Sequence, residues 1–156
     1  MKNMRRLFGM GVLIALFVLG GAQSGQAGEE KRFVGAWKLA FLEQPGTDGK
    51  PQRRTECCGL LVYTADGHMS VQVMENEPQP KSPAGAEQYS QGGYEASYGS
   101  YRVDERTHTF NFHVEGALVR SLIGKDLPRR YEFSGNRLIV QSTRPEEQWK
   151  VAWERY

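Results

Sequence analysis

His113 and Glu115 are the residues that could most directly support acid–base chemistry. They lie two positions apart, so in a β-strand both side chains leave the same face. A histidine titrates near neutral pH, and a carboxylate beside it could orient the ring for proton transfer. Phe110, Phe112 and Val114 occupy the alternate positions and suit an apolar interior, so the pair could equally lie outside in cross-strand contacts. The pattern alone assigns no catalytic residue.

A second set of side chains is typical of a pocket for an apolar or amphipathic molecule. Tyrosine and methionine supply apolar contact area together with a few hydroxyl groups. An arginine could meet a ligand carboxylate, or it could pair with a glutamate on a neighbouring strand. Part of the set could also be ordinary core packing. The residues predicted to bind a ligand are Tyr63, Met69, Tyr98, Tyr101, His113 and Arg130.

Signatures of metal sites and of activated nucleophiles are missing from the sequence. His68 lies on a different hairpin from His108 and His113, and there is no Gly-x-Ser-x-Gly or phosphate-binding glycine loop. Cys57 and Cys58 are adjacent, so ordinary strand geometry keeps them from pairing. A strained vicinal disulfide, an intermolecular bridge and two free thiols remain as alternatives. We therefore expect neither a metal nor another cofactor.

These residues lie on short segments in which apolar and polar positions alternate, and this predicts β-strands. Asp66-Gly67 is a tight hairpin signal, because this dipeptide tolerates the positive φ that such turns need. A bulge or bend is expected at Gly59 in the second strand. The eight predicted strands span residues 35–42, 55–64, 68–74, 94–103, 108–115, 128–133, 137–143 and 148–156. Eight strands in a meander predict an all-β, antiparallel up-and-down barrel with room for one small ligand.

Residues 75–93 interrupt this rhythm with Pro78, Pro80 and Pro83. A connection of this length in a small domain is usually a functional loop. The sequence therefore predicts a long loop after the third strand, acting as a lid over one end of the barrel.

The first residues are typical of an export signal. Lys2, Arg5 and Arg6 precede an apolar core at residues 7–19, and small residues end at Ala27. The apolar core is short for a membrane span, which needs about 20 residues. We therefore predict a signal peptide at residues 1–27, one domain at residues 28–156, no stable membrane span in the mature form, and export to the periplasm or the medium.

Several segments taken in order resemble the lipocalin-like domain family of bacteria and fungi, a calycin-type barrel. They are Gly35-Ala36-Trp37, which is similar to the lipocalin opening motif, and residues 59–72, 98–104, 113–116 and 151–155. The resemblance implies an eight-stranded up-and-down barrel, and it implies little chemistry because most members have no established activity. It also implies that Trp37 packs at the barrel base against Arg155 of the last strand, as a structural closure.

We expect from these observations an exported lipocalin-like protein that binds a small apolar or amphipathic molecule in its lumen. One alternative is a barrel enzyme of the isomerase or cyclase type, which would need His113 and Glu115 to point inward. Another is an envelope interaction module, which would have a packed interior. Removing Lys2, Arg5 and Arg6 takes the 20 basic residues to 17 against 18 acidic ones, so we expect no nucleic-acid partner.

Overall fold

The computed structural model describes the backbone of residues 28–81 and 91–156, and the side chains of residues 28–77 and 93–156. The predicted signal peptide and the middle of the predicted lid lie outside these ranges, so both remain predictions. None of the helices in the described ranges is long and apolar enough to cross a membrane.

Antiparallel strand pairing dominates the described residues. They contain one short helix, α1 (Glu30–Phe33), a 3₁₀ helix (Arg120–Leu122), and the strands β1 (Gly35–Pro45), β2 (Pro51–Arg54), β3 (Cys57–Tyr63), β4 (His68–Lys81), β5 (Gln91–Asp104), β6 (Thr109–Ala117), β7 (Asp126–Ser134), β8 (Arg137–Ser142) and β9 (Lys150–Arg155). From β3 to β9 each strand pairs with the next, and β1 pairs with both β3 and β9. The eight-stranded antiparallel barrel expected from the sequence is confirmed, with β2 added beside the second half of β1.

The hairpin between β3 and β4 shows how local sequence sets the register. Gly67 has a φ of +88°, which a glycine adopts without steric cost. The turn brings Tyr63 opposite Met69, and pairing then continues in step to Cys57 opposite Glu75. Since side chains alternate along a strand, this register fixes which residues face the lumen.

Two boundaries differ from the predicted ones. The second predicted strand is divided into β2 and β3, and the β3–β4 register passes Gly59 without a shift, so the expected bulge is absent there. Strand β4 also runs beyond Met74 into the predicted loop, where Gln79 pairs with Gly92 after a register shift. The connection after the third predicted strand therefore begins after Lys81, later than the predicted start at residue 75.

An aromatic floor closes one end of the barrel. The ring of Phe33, at the end of α1, has no solvent exposure. It lies at the centre of five neighbouring rings, with centroid distances of 4.8–6.1 Å. Those rings belong to Tyr63, Tyr101, Phe110, Tyr131 and Phe133. All of these pairs except that with Tyr101 are edge-to-face, an arrangement that adds stability beyond the area that the rings bury.

Trp37 and Arg155 hold this floor to the first and last strands. The indole N–H of Trp37 donates to the Phe33 carbonyl at 2.8 Å. The Arg155 guanidinium lies 4.2 Å from the Trp37 ring centroid and donates to the Val34 carbonyl at 2.9 Å and to the carbonyl of Arg32. Gly35 has a φ of +131°, and a Cβ there would lie 2.6 Å from an Arg155 nitrogen, so a side chain would displace the arginine.

We predict that Trp37→Ala lowers the free energy of unfolding by about 3–5 kcal/mol, because it leaves a large void and removes the ring against which Arg155 packs. Trp37→Phe keeps most of the ring but loses the indole N–H, so its loss is expected to be smaller, about 1–3 kcal/mol. Urea unfolding followed by circular dichroism measures both. A Trp37→Ala variant within about 0.5 kcal/mol of the wild type would refute a structural role for this residue.

Candidate functional site

A cavity of about 330 Å³ occupies the barrel lumen. Small-molecule sites commonly measure about 300–1,000 Å³, so the space suits one small ligand. Most of its wall is apolar and comes from seven strands, the 3₁₀ helix and the segment before β9. The apolar and aromatic lining residues are Leu42, Leu61, Tyr63, Met69, Val71, Val73, Phe110, Phe112, Leu122, Leu127, Val140, Trp149, Val151 and Trp153.

The polar lining residues are Gln44, Glu95, Ser97 and Arg129. Gln44 lies near the end of β1 remote from α1, and Glu95 and Arg129 lie on β5 and β7 away from the floor residues of those strands. Glu95 is exposed, so the cavity reaches solvent at this end. The lumen therefore has an aromatic floor and a mouth that carries both charged and polar groups.

Arg129 is the cation of this mouth. Its side chain is 17% exposed, and its guanidinium carbon lies 4.9 Å from the Trp149 ring centroid. One guanidinium nitrogen donates to the Pro128 carbonyl at 3.3 Å, and the same nitrogen is 3.7 Å from a Glu147 carboxylate oxygen. Burial lowers the pKa of Arg129, and the nearby Glu147 carboxylate opposes that shift.

Glu147 is held by several groups besides Arg129. Its carboxylate accepts hydrogen bonds from the Ser142 hydroxyl at 2.7 Å, from Arg144 at 3.0 Å and from the Trp149 indole at 3.4 Å. The Ser142 bond is the main cause that lowers the pKa of Glu147, with smaller contributions from Trp149 and the two arginines. The carboxylate is therefore an anchored anion that compensates Arg129 only in part.

Tyr63 contributes an unusual polar group beside the cavity. The residue is 1% exposed, and its hydroxyl has no hydrogen-bonding partner among the described residues. Burial raises the pKa of this phenol far above its usual value. A buried hydroxyl without a partner costs about 1–3 kcal/mol, so this group lowers the stability of the floor, unlike the hydrogen-bonded hydroxyls of Tyr101 and Tyr131.

The structure places the predicted ligand-binding residues in three locations. Tyr63 and Met69 line the cavity. Tyr101 is buried in the floor, where its hydroxyl donates to the Thr64 carbonyl at 3.1 Å. Tyr98, His113 and Arg130 are exposed and are not part of the lining. The structure therefore brings together only two of the six residues at the cavity.

His113 and Glu115 lie on the outer face of β6, where both are exposed. The His113 Nδ1 is 3.1 Å from an Asp126 oxygen, and the Asn111 amide donates to the same oxygen at 2.9 Å. These two bonds, Asn111 first, lower the pKa of Asp126. His113 is thus part of a cross-strand surface pair with Asp126, whereas the isomerase or cyclase alternative required His113 and Glu115 to point inward.

Arg129 and Trp149 are two of the cavity residues that the sequence analysis did not identify. The alternation along β7 contained the signal, because Arg129 shares its parity with the buried residues Leu127 and Tyr131. Arg130 shares its parity with exposed Glu132. Strand alternation therefore places Arg129 on the inner face and Arg130 on the outer face, and Arg130 was the arginine predicted to meet a ligand.

The cysteines of β3 are free thiols in this structure, with Cys57 half-buried and Cys58 exposed. Burial raises the pKa of the Cys57 thiol, and the nearby Arg54 opposes that shift. Within the described ranges, no three histidine, cysteine or acidic side chains are grouped as metal ligands would be.

Comparison with known proteins gave a family match and two weak structural similarities. A family model described as a lipocalin-like domain matches residues 34–156. A search of curated proteins found no match. An uncharacterised protein from Bacteroides eggerthii is 14% identical, with a TM-score of 0.45 over 80% of this chain and 99% of its own. A point mutant of the fluorescent protein UnaG is also 14% identical, with a TM-score of 0.40 over 81% of this chain and 97% of its own.

Replacing the two floor tyrosines by phenylalanine tests the assignment of their hydroxyl groups. We expect Tyr63→Phe to leave stability unchanged or to raise it by up to about 1–3 kcal/mol, since the lost hydroxyl has no partner. Tyr101→Phe is the matched control and should lose about 1 kcal/mol with its bond to Thr64. Urea unfolding of both variants measures the difference. A larger loss in Tyr63→Phe than in Tyr101→Phe would contradict the assignment.

Proposed function

Because the chain belongs to the lipocalin-like domain family and has a cavity in its barrel, we propose that it binds a small, largely apolar molecule in the lumen. The observation that carries this proposal is the apolar cavity of about 330 Å³ above a sealed aromatic floor. A barrel of eight strands can hold one small ligand in this way.

Burial of the ligand's apolar surface would supply most of the binding free energy. Each Å² removed from water contributes roughly 25 cal/mol before the costs of association are subtracted. Valine, leucine and aromatic side chains on opposite walls would contact such a ligand from several sides. The polar groups at the mouth would then set its orientation.

Two observations favour binding over the alternatives. His113 and Glu115 are exposed on the outer face, which leaves an isomerase or cyclase without the inward acid–base pair that it was expected to use. The lumen contains a cavity, whereas an interaction module was expected to have a packed interior.

We further propose that the protein is exported, and that binding takes place in the periplasm or outside the cell. The support is the basic start of the chain, with Lys2, Arg5 and Arg6, followed by the apolar residues 7–19 and a small residue at Ala27. The intact mass of the protein recovered outside the cytoplasm should correspond to a chain that begins at Gly28. A recovered chain that retains residues 1–27 would refute this cleavage.

Binding in the lumen can be tested with the neutral apolar fluorophore N-phenyl-1-naphthylamine. We expect its fluorescence to rise on binding to the wild type. Val73→Trp places a large side chain in the cavity and should weaken binding at least about tenfold, because the ligand and the indole would compete for one space.

Met74→Trp is the matched control, because Met74 is the next residue of β4 and is 43% exposed on the outer face. It should bind the fluorophore as the wild type does. Circular dichroism establishes that both variants are folded. Equal binding by the wild type and a folded Val73→Trp variant would show that the fluorophore does not occupy the lumen.

A further inference from the structure

The lumen contains a cation in a wall that is otherwise largely apolar. Arg129 lines the cavity beside Leu127 and Trp149, and only 17% of its side chain is exposed. Burial of an arginine in such a place is costly unless hydrogen-bond acceptors surround its guanidinium. The acceptors around Arg129 therefore decide what the site can bind.

The protein provides few acceptors for this guanidinium. Arginine has five N–H donors in a planar fork. Among the described residues, Arg129 makes one hydrogen bond, to the Pro128 carbonyl at 3.3 Å. The nearest carboxylate oxygen, on Glu147, is 3.7 Å away and accepts closer bonds from Ser142 and Trp149. Most of the Arg129 fork therefore has no acceptor among the described residues and can receive one from a ligand.

The guanidinium is also held in place. Its guanidinium carbon lies 4.9 Å from the centroid of the Trp149 ring, a cation–π contact that restrains the side chain at the mouth, and Trp149 itself lines the cavity. The planar guanidinium fork suits a carboxylate, which can accept two parallel hydrogen bonds.

We propose that Arg129 is the subsite for the carboxylate of an elongated apolar monocarboxylic acid whose chain occupies the lumen. This inference rests on the proposed function and names the class of ligand. The walls below Arg129 are apolar, which suits a hydrocarbon chain, and the floor rings set the depth that the chain can reach.

The charges around the mouth favour a head group with a single negative charge. Glu95 lines the same cavity, and Glu147 lies beside Arg129. Arg129 and Arg144 both lie beside Glu147, so these two cations balance the carboxylates of Glu147 and Glu95 and leave no net positive charge at the mouth. A dianionic phosphate would therefore meet more repulsion from the two carboxylates than a monoanion would. A long-chain carboxylate therefore fits better than a phosphate ester with the same chain.

The neighbouring arginine provides a matched control. Arg129 and Arg130 are adjacent in β7, but Arg130 is exposed and does not line the cavity. Arg129→Gln and Arg130→Gln each remove one positive charge. The first removes it from the lumen wall and the second from the outer surface of the barrel.

The test is displacement of N-phenyl-1-naphthylamine by decanoate and by decanol, which have the same chain length. The full chain is expressed and the purified protein is titrated at neutral pH. We expect the wild type to bind decanoate about tenfold to a hundredfold more tightly than decanol, as a charge-assisted hydrogen bond predicts. Arg129→Gln should lose this preference and keep its affinity for decanol, and Arg130→Gln should keep the preference.

Each outcome separates the two proposals. Binding of the fluorophore with equal affinities for decanoate and decanol would overturn the Arg129 subsite and leave the lumen-binding proposal standing. A preference that survives in Arg129→Gln, or that is lost in Arg130→Gln, would also overturn it. If the wild type bound none of the three probes, lumen binding and the subsite would both fail.

A further variant covers the case in which Arg129→Gln does not fold. Arg129→Lys keeps the charge but not the planar fork, so its preference for decanoate should lie between those of the wild type and an uncharged variant. In the wild type, added salt should weaken decanoate binding and leave decanol binding unchanged. Salt-independent decanoate binding would contradict a charged subsite.

Discussion

The packing of Phe33 under the first strand is the interaction on which the rest of the structure depends. A short helix carries this ring into the barrel end, and its carbonyl accepts the Trp37 indole N–H at 2.8 Å. Arg155 then joins the last strand to the same segment through the Val34 carbonyl. Because β1 also pairs with β9, the floor and the barrel seam are fixed by the same residues. An enclosed apolar lumen follows from this closure.

The two ends of the barrel have different chemistry as a result. Tyrosine and phenylalanine rings fill the floor, where Tyr131 donates to Glu29 at 2.7 Å and Tyr101 to Thr64 at 3.1 Å. The opposite end has no comparable ring cluster among the described residues, and it carries Glu95, Arg129 and Gln44. A ligand with an apolar body and one polar end matches this polarity, with its body toward the floor.

The sequence predicted the barrel well because alternation and hairpin turns are local signals. It did not reveal α1, since a helix of four residues is too short for a hydrophobic period to appear. Phe33 was therefore missed as the centre of the floor. In the choice of candidate ligand-binding residues, residue type was weighed above strand parity. Arg130 and Tyr98 have suitable side chains but face outward, whereas Arg129 faces the lumen, and ligand binding by any of them stays a prediction.

The three tryptophans allow the position of a bound ligand to be measured directly. Trp37 lies in the floor, whereas Trp149 and Trp153 line the cavity. The decisive measurement is a titration of isotope-labelled protein with N-phenyl-1-naphthylamine, followed by the indole N–H signals in nuclear magnetic resonance spectra. Lumen binding predicts that the Trp149 and Trp153 signals shift and that the Trp37 signal stays in place. Saturable binding that moves neither cavity indole would contradict it.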